Sequence, residues 1–298
     1  MTIEAYPYII FLGFLWGSTL VASRFSVGQF NPTTYIGLRL ALVGLGHATI
    51  YLFSRQRQWP TDKQLWRHTI LLGVLGTAIP MTAIVSSLQY LSSGLASIML
   101  TTNPALTVLF AHFFLTDESL SRRKLAGVGL ALSGAVLLAL NGESGLIEEA
   151  NPLGYILILV AMICGSSMTV YARKYMSSFD AFDVASIRMF VASLVVMPLS
   201  LLFFGFDLQR VTQTGYLALA YAALIGTFLG MMLSFYNIKR FGATAAAMTS
   251  YIMPIVAGIG GWWVLGERIT AVMVTGVILI IAGIATLNQK FRPNVNLG

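Results

Sequence analysis

The sequence predicts an all-α integral membrane protein, ten transmembrane helices arranged as two inverted five-helix repeats. Three observations carry that expectation. Hydrophobic residues make up 57% of the 298 and charged residues only 10%, with a mean hydropathy of +0.79. Ten apolar runs of spanning length occupy most of the chain. The two halves also echo each other at a spacing of 148 to 150 residues.

Composition sets the solvent. A soluble domain carries roughly 25% charged residues, so this chain lacks the polar surface to face water and must use lipid. The net charge of +7 falls between the apolar runs, which suits membrane orientation rather than nucleic-acid binding. Cys164 is single and lies in an apolar run, which excludes an intramolecular disulfide. The start, MTIEAYPYII, lacks the basic stretch of a cleaved leader and reads as the beginning of the first helix.

A span needs about 20 mostly apolar residues at ~1.5 Å each to cross a ~30 Å core. That rule places spans at 7–28, 33–53, 68–89, 94–115, 124–140, 153–173, 182–204, 214–235, 243–264 and 271–289. No loop between them is long enough to form a domain. With the N-terminus inside, the inner loops hold Arg55, Arg57, Lys63, Arg67, Arg122, Arg123, Lys124, Arg173, Lys174, Lys239, Arg240, Lys290 and Arg292. The outer loops hold Arg210 and Arg268, and the acidic Glu143, Glu148 and Glu149. This asymmetry predicts both termini on the cytoplasmic side of a bacterial-type inner membrane.

The repeat is ordered along the chain. Gly17-Ser18 matches Gly165-Ser166; Phe30 and Arg39 match Phe179 and Arg188; Gly76-Thr77 matches Gly226-Thr227; Pro104 matches Pro254. Glu118, Gly127 and Gly134 match Glu267, Gly276 and Gly283. Units 1–149 and 150–298 each hold an odd number of spans, so the second enters the membrane from the opposite side. Carriers use such inverted repeats because exchanging the conformations of the halves moves a central site from one side to the other. A carrier of small molecules is therefore the expected function.

The segments FLWGSTLVASRF, LRLAL, LTTNPALTVLFAHFFLTDESLSRRKLAGVGLALSGAVLL and MTSYIMPIVAGIGGWWVLGERITAVMVTGVILIIAGI resemble the drug/metabolite transporter superfamily, EamA type, over nearly the whole chain. Within it the similarity is to the aromatic amino acid exporters. The resemblance implies a ten-helix exporter of amino acids or related metabolites, with a cavity lined by helices 1, 3, 4, 6, 8 and 9. The second half carries Cys164-Gly165-Ser166 where the first has Trp16-Gly17-Ser18, leaving Trp16 as the aromatic contributor.

Pro104 and Pro254 fall near the middle of spans 4 and 9, and each frees the carbonyl four residues back, at Leu100 and Ser250. In lipid such a carbonyl needs a partner, so the pair reads either as packing kinks or as acceptors for a substrate ammonium. Thr101, Asn103, Ser250 and Tyr251 flank the prolines; Trp16, Ser18, Thr19, Thr77, Met162, Ser166, Thr227 and Met231 are the further candidates for the lining. Arg39 and Arg188 lie within spans, a costly placement that marks function or snorkelling to an interface. As function they suggest alternating gates, Arg39 with Glu267 outside and Arg188 with Glu118 inside. Arg24 reads as an anchor.

Every carboxylate falls in a loop or at a helix end, so coupling to protons would rest on His47 or His112. Gly127 and Gly134, like Gly276 and Gly283, lie seven apart and offer one close-packing face, for internal packing or a homodimer. An intramembrane enzyme would need clustered His, Asp, Glu or Cys, and none can be assembled; no cofactor or metal is expected. A multidrug or cation exporter is the alternative within transport. The expected partners are a small-molecule substrate and lipid, in a monomer or homodimer.

Overall fold

The structure is a computed structural model and describes residues 4–54, 57–116, 120–147, 151–241 and 248–288. The described residues are helical, with no strand. The helices are α1 (Ala5–Ser26), α2 (Pro32–Phe53), α3 (Lys63–Ser87), α4 (Ser93–Phe114), α5 (Arg122–Leu140), α6 (Pro152–Tyr175), α7 (Ala181–Phe204), α8 (Gln213–Asn237, helical on to Phe241), α9 (Thr249–Leu265) and α10 (Ala271–Asn288). The first eight are long and apolar enough to span a membrane; α9 and α10 are shorter apolar helices.

Helix starts are set by side chains that satisfy the orphan N–H groups of the first turn. Asn31 accepts from Thr33 N, Asp62 from Gln64 N and Leu65 N, and Ser121 from Lys124 N. In the second half Asp180 accepts from Phe182 N and Asp183 N, Thr212 from Gly215 N, and Thr270 from Met273 N. These caps recur at the repeat spacing. The Asp62 cap starts α3 at Lys63, five residues ahead of the apolar run, because its first turns are amphipathic rather than lipid-filling. The beginning of span 9, at 243, lies outside the described residues.

Packing follows the repeat as well. α1 lies against α9 and α8, while their counterparts α6 and α4, and α6 and α3, lie against each other. α2 packs on α7, and α5 on α10. In the last pair a Cβ on Gly127 would stand 2.8 Å from the Gly283 carbonyl oxygen, and one on Gly134 would stand 2.8 Å from that of Gly276. The glycines of α5 and α10 thus serve internal packing. Lipid gives no hydrophobic drive between helices, so such close backbone approach supplies the contact. Large apolar side chains such as Phe14, Phe53, Leu202 and Trp263 stay on the outside of the bundle.

Three helices loosen into π turns, at Val74–Ala78 in α3, Ser200–Phe204 in α7 and Tyr221–Leu229 in α8. Those of α3 and α8 contain the repeated Gly-Thr pairs. Each threonine hydroxyl bonds a carbonyl five residues back, Thr77 to Leu72 at 3.4 Å and Thr227 to Ala222 at 2.8 Å. α4 breaks outright at Thr101–Thr102, between Ser93–Leu100 and Asn103–Phe114, because Pro104 has no N–H to carry the ladder through. α9 instead runs unbroken past Pro254.

Candidate functional site

A cavity of about 150 Å³ lies among α1, α2, α3, α4 and α9. Along α1 it is lined by Trp16, Thr19, Leu20 and Ser23, one face of the helix at spacings of three and four. α3 adds Met81, Ile84 and Val85, while α4 gives Leu100, α9 Met253 and α2 Arg39. Trp16 stands there because Gly230 of α8 is bare; a Cβ on Gly230 would come 2.8 Å from the indole Nε1. Thr19 ties its hydroxyl to Leu15 O at 2.6 Å.

Arg39 is buried, 8% exposed, and does not snorkel. Its Nε and Nη2 donate to Thr227 Oγ1 at 2.8 and 2.7 Å, and Nη1 donates to Ser23 Oγ at 3.1 Å. The Tyr35 hydroxyl stands 3.2 Å from the same Ser23 oxygen. Arg188, at the matching position of the second half, docks in a similar way, with Nε to Thr77 Oγ1 and Nη2 to Gly76 O, both 2.8 Å. Each arginine of one half therefore docks on the π turn of the other half. Repeat spacing alone pointed to glutamates as partners, and in this structure Arg39 does not reach Glu267. Glu118, the partner expected for Arg188, lies outside the described residues.

Glu267 has other work. Although it sits in the α9–α10 loop it is only 5% exposed. It accepts from Ser93 N at 2.9 Å, Ser93 Oγ at 2.7 Å and Gly94 N at 3.4 Å, holding the N-terminus of α4 where the helix dipole favours an anion. Its ionic neighbour is Arg24, with Nε at 3.8 Å. Arg24 is thus part of a latch joining α1, α4 and the α9–α10 loop. Two backbone bonds brace the same end, Ser92 N to Ser144 O and Arg268 N to Gly145 O, each 2.8 Å.

Of the expected lining residues, Trp16 and Thr19 reach the cavity. Ser18 turns instead to a lateral apolar groove between α1, α8 and α9, where it bonds Phe14 O and the Tyr221 hydroxyl. Thr77 and Thr227 are taken up by the arginines. Thr101 donates to Ser250 O at 3.3 Å, the carbonyl that Pro254 leaves free, and so meets in part the need read from the sequence. Ser166 donates to Asn103 O at 3.2 Å, tying α6 to the break in α4. Met162 is in the core; Met231 and Tyr251 pack against it half-buried. Pro254 faces a shallow space toward α10. No α6 or α8 residue lines the cavity; on the α8 side Arg39 of α2 stands between Ser23 of α1 and Thr227 of the π turn.

Sequence reading missed Ser23, Met81 and Met253. Met81 stands one repeat from Met231, and Ser23 continues the stripe of Trp16, Thr19 and Leu20, so both were open to discovery. His47 is a packed residue, 2% exposed, with Nδ1 2.9 Å from Val43 O and its ring against Phe182 and Phe228. His68, passed over in the sequence, lies 2.6 Å from the Tyr171 hydroxyl and stacks on Tyr175. Among the described residues no three His, Cys, Asp or Glu converge as metal ligands. The oxygens Thr102 Oγ1, Asn103 Oδ1 and Thr249 Oγ1 are buried without a hydrogen-bond partner.

Comparison with known proteins accords with this architecture. The profile of the EamA-like transporter family matches twice, over residues 4–140 and 152–289. The chain is 28% identical over 283 residues to the "Uncharacterized inner membrane transporter YedA" of Escherichia coli K12, covering 94% of this chain and 89% of that one. It is 27% identical over 281 residues to a "Probable amino-acid metabolite efflux pump" of Salmonella typhimurium, covering 91% and 90%. One solved crystal structure shares the fold with a TM-score of 0.67 over 96% of both chains at 18% identity. With its ten apolar helices and a family match in both halves, the chain belongs to the EamA-like transporter family and is a multi-pass membrane transporter.

Proposed function

We propose that this transporter exports, or passively conducts, amino acids or similar small polar metabolites by alternating access between inverted units 1–149 and 150–298. The observation that carries the reading is the central cavity, which combines hydroxyls and a guanidinium with Trp16, Met81 and Met253. Its volume of about 150 Å³ is small beside the roughly 300–1,000 Å³ of pockets for drug-sized ligands, which favours a metabolite. The mirrored helix packing and the mirrored arginine–threonine docks support two units that exchange roles. The relative named as an amino-acid metabolite efflux pump points the same way. The excess of Lys and Arg in one set of loops supports both termini in the cytoplasm, and the relative named as an inner membrane transporter supports an inner-membrane setting. It is a carrier rather than an enzyme.

One observation favours a second reading. The lateral groove between α1, α8 and α9 holds about 670 Å³ and is lined by Phe14, Ile255, Ile259 and Trp263. An apolar drug entering from lipid would fit it better than the central cavity. Uptake of labelled methionine, threonine and phenylalanine into proteoliposomes, with no imposed ion gradient, separates the two. Saturable uptake of any of them supports the metabolite carrier. No uptake by folded protein, together with transport of ethidium, moves the function to drug export.

A further inference from the structure

Arg39 is a buried cation whose acceptors are all neutral. A charge at this depth is costly and is ordinarily matched by another charge or placed on a transport path. Among the described residues no carboxylate pairs with it, and Glu267 is already held by Ser93, Gly94 and Arg24. Tyr35 is a further neutral neighbour of the guanidinium, and Arg39 itself forms part of the cavity wall. A planar guanidinium matches the paired oxygens of a carboxylate, and the apolar remainder of the cavity suits a carboxylate that carries an apolar tail.

The cavity around it is graded. Ser23, bonded to Arg39, lies seven residues along α1 from Trp16, about 10 Å at the helical rise. Between them stand Thr19 and Leu20, and across from them Met81 and Met253. The space thus offers a cationic level with hydroxyls and, a small molecule's length away, an aromatic and thioether surface. Arg188 makes a built-in contrast. It donates to the backbone carbonyl of Gly76 as well as to Thr77, and lines none of this cavity.

We infer that Arg39 is the carboxylate-binding residue of the central cavity, and that the transported molecules are small carboxylates with an apolar tail. This rests on the cavity being the transport site, but does not require an α-amino group. A monocarboxylate of the same shape would be recognised as an amino acid is.

The test uses the purified full-length protein and four probes of one carbon skeleton: leucine, 4-methylpentanoate, leucinamide and 3-methylbutylamine. Binding is read by titration calorimetry in wild type, Arg39→Gln, Arg39→Lys and Arg188→Gln. The two acids should bind wild type at least tenfold more tightly than the amide and the amine. Arg39→Gln should erase that preference, Arg39→Lys should keep part of it, and Arg188→Gln should keep it whole. Amide binding as tight as acid binding, or an acid preference that survives in folded Arg39→Gln, overturns the inference. If Arg39→Gln does not fold, the acid–amide comparison in wild type decides alone. Binding of 4-methylpentanoate without leucine would sink the amino-acid reading and keep this one; binding of leucine and leucinamide without 4-methylpentanoate would do the reverse. Binding of none of the four overturns both.

Discussion

Arg39 and Arg188 hold matching places in the two halves, and each reaches across to a threonine in a π turn of the other. There the likeness ends. Arg188 completes its shell with the Gly76 carbonyl and packs against α3. Arg39 completes its shell with a serine hydroxyl on α1 and looks into a cavity. The two halves carry cations at matching positions; the surroundings make one a fastener between helices and set the other in the wall of a cavity. In both π turns the threonine hydroxyl donates to the carbonyl five residues back and accepts from the arginine of the other half.

The largest expected effect breaks this pair apart. Arg39→Gln should lower transport of carboxylate substrates at least a hundredfold in proteoliposomes, whereas Arg188→Gln should leave KM unchanged. Arg188→Gln should instead lower stability, because the Gly76 carbonyl and Thr77 lose their donor, at a cost of about 1–3 kcal/mol. Thermal unfolding in detergent reads that loss. A raised KM in Arg188→Gln would show that the two arginines are alike after all.

Next come the glycines, where the halves remain equivalent. Gly127→Val and Gly283→Val each drive a side chain toward the backbone of the facing helix. Both should cost about 1–3 kcal/mol by overpacking, measured as a fall in melting temperature. Tolerance of one and not the other would show that α5 and α10 do not share the contact equally.

A third pair differs in charge. Tyr51 donates to Asp183 Oδ1 at 2.6 Å, and one repeat away Ser200 and Thr34 join their hydroxyls at 2.6 Å. Tyr51→Phe removes a bond to an ionised group and should cost roughly 1.5–3 kcal/mol; Thr34→Val removes a neutral one, roughly 0.5–1.5 kcal/mol. Equal losses would mean that the carboxylate adds nothing at this end of α2 and α7.

The smallest effect is in pH. Partial burial raises the Asp180 carboxyl, but the Arg57 guanidinium at 3.1 Å and the N–H groups of Asp183 and Phe182 outweigh it and hold it below its ordinary range. A depressed folded-state value contributes stability above the ordinary carboxylate range, lost as pH falls through the folded value. The melting-temperature gap between wild type and Arg57→Ala should therefore close as the pH drops below about 4. A gap that persists there would assign Arg57 to its stacking on Phe182, 4.3 Å from the ring centre.

The helices were legible because lipid demands apolar length and the chain supplies it ten times over. Their ends were less so where polar turns extend the helix, as at Lys63. Depth in the membrane was legible for Arg39, but not its partner. Sequence spacing aligned Arg39 with Glu267, while the choice between Glu267 and Thr227 depends on how α2, α8 and the α9–α10 loop meet. Glu267 shows the converse, a loop residue by sequence that folding buries on the start of α4. Trp16 and Thr19 were found because the first belongs to the WGS motif and the second follows it. Met253, on a helix that runs unbroken past Pro254, carried no signal of its own.

Cysteine accessibility tests the assignment of the central cavity most directly. In a Cys164→Ala background, Leu20→Cys and Met253→Cys sit in the cavity and Ile259→Cys in the lateral groove. A small water-soluble thiol reagent should modify the first two during turnover, and a transported carboxylate should protect both, leaving Ile259→Cys indifferent to substrate. Protection at Ile259→Cys, with Leu20→Cys and Met253→Cys unreactive, would place the transport path in the groove and contradict it.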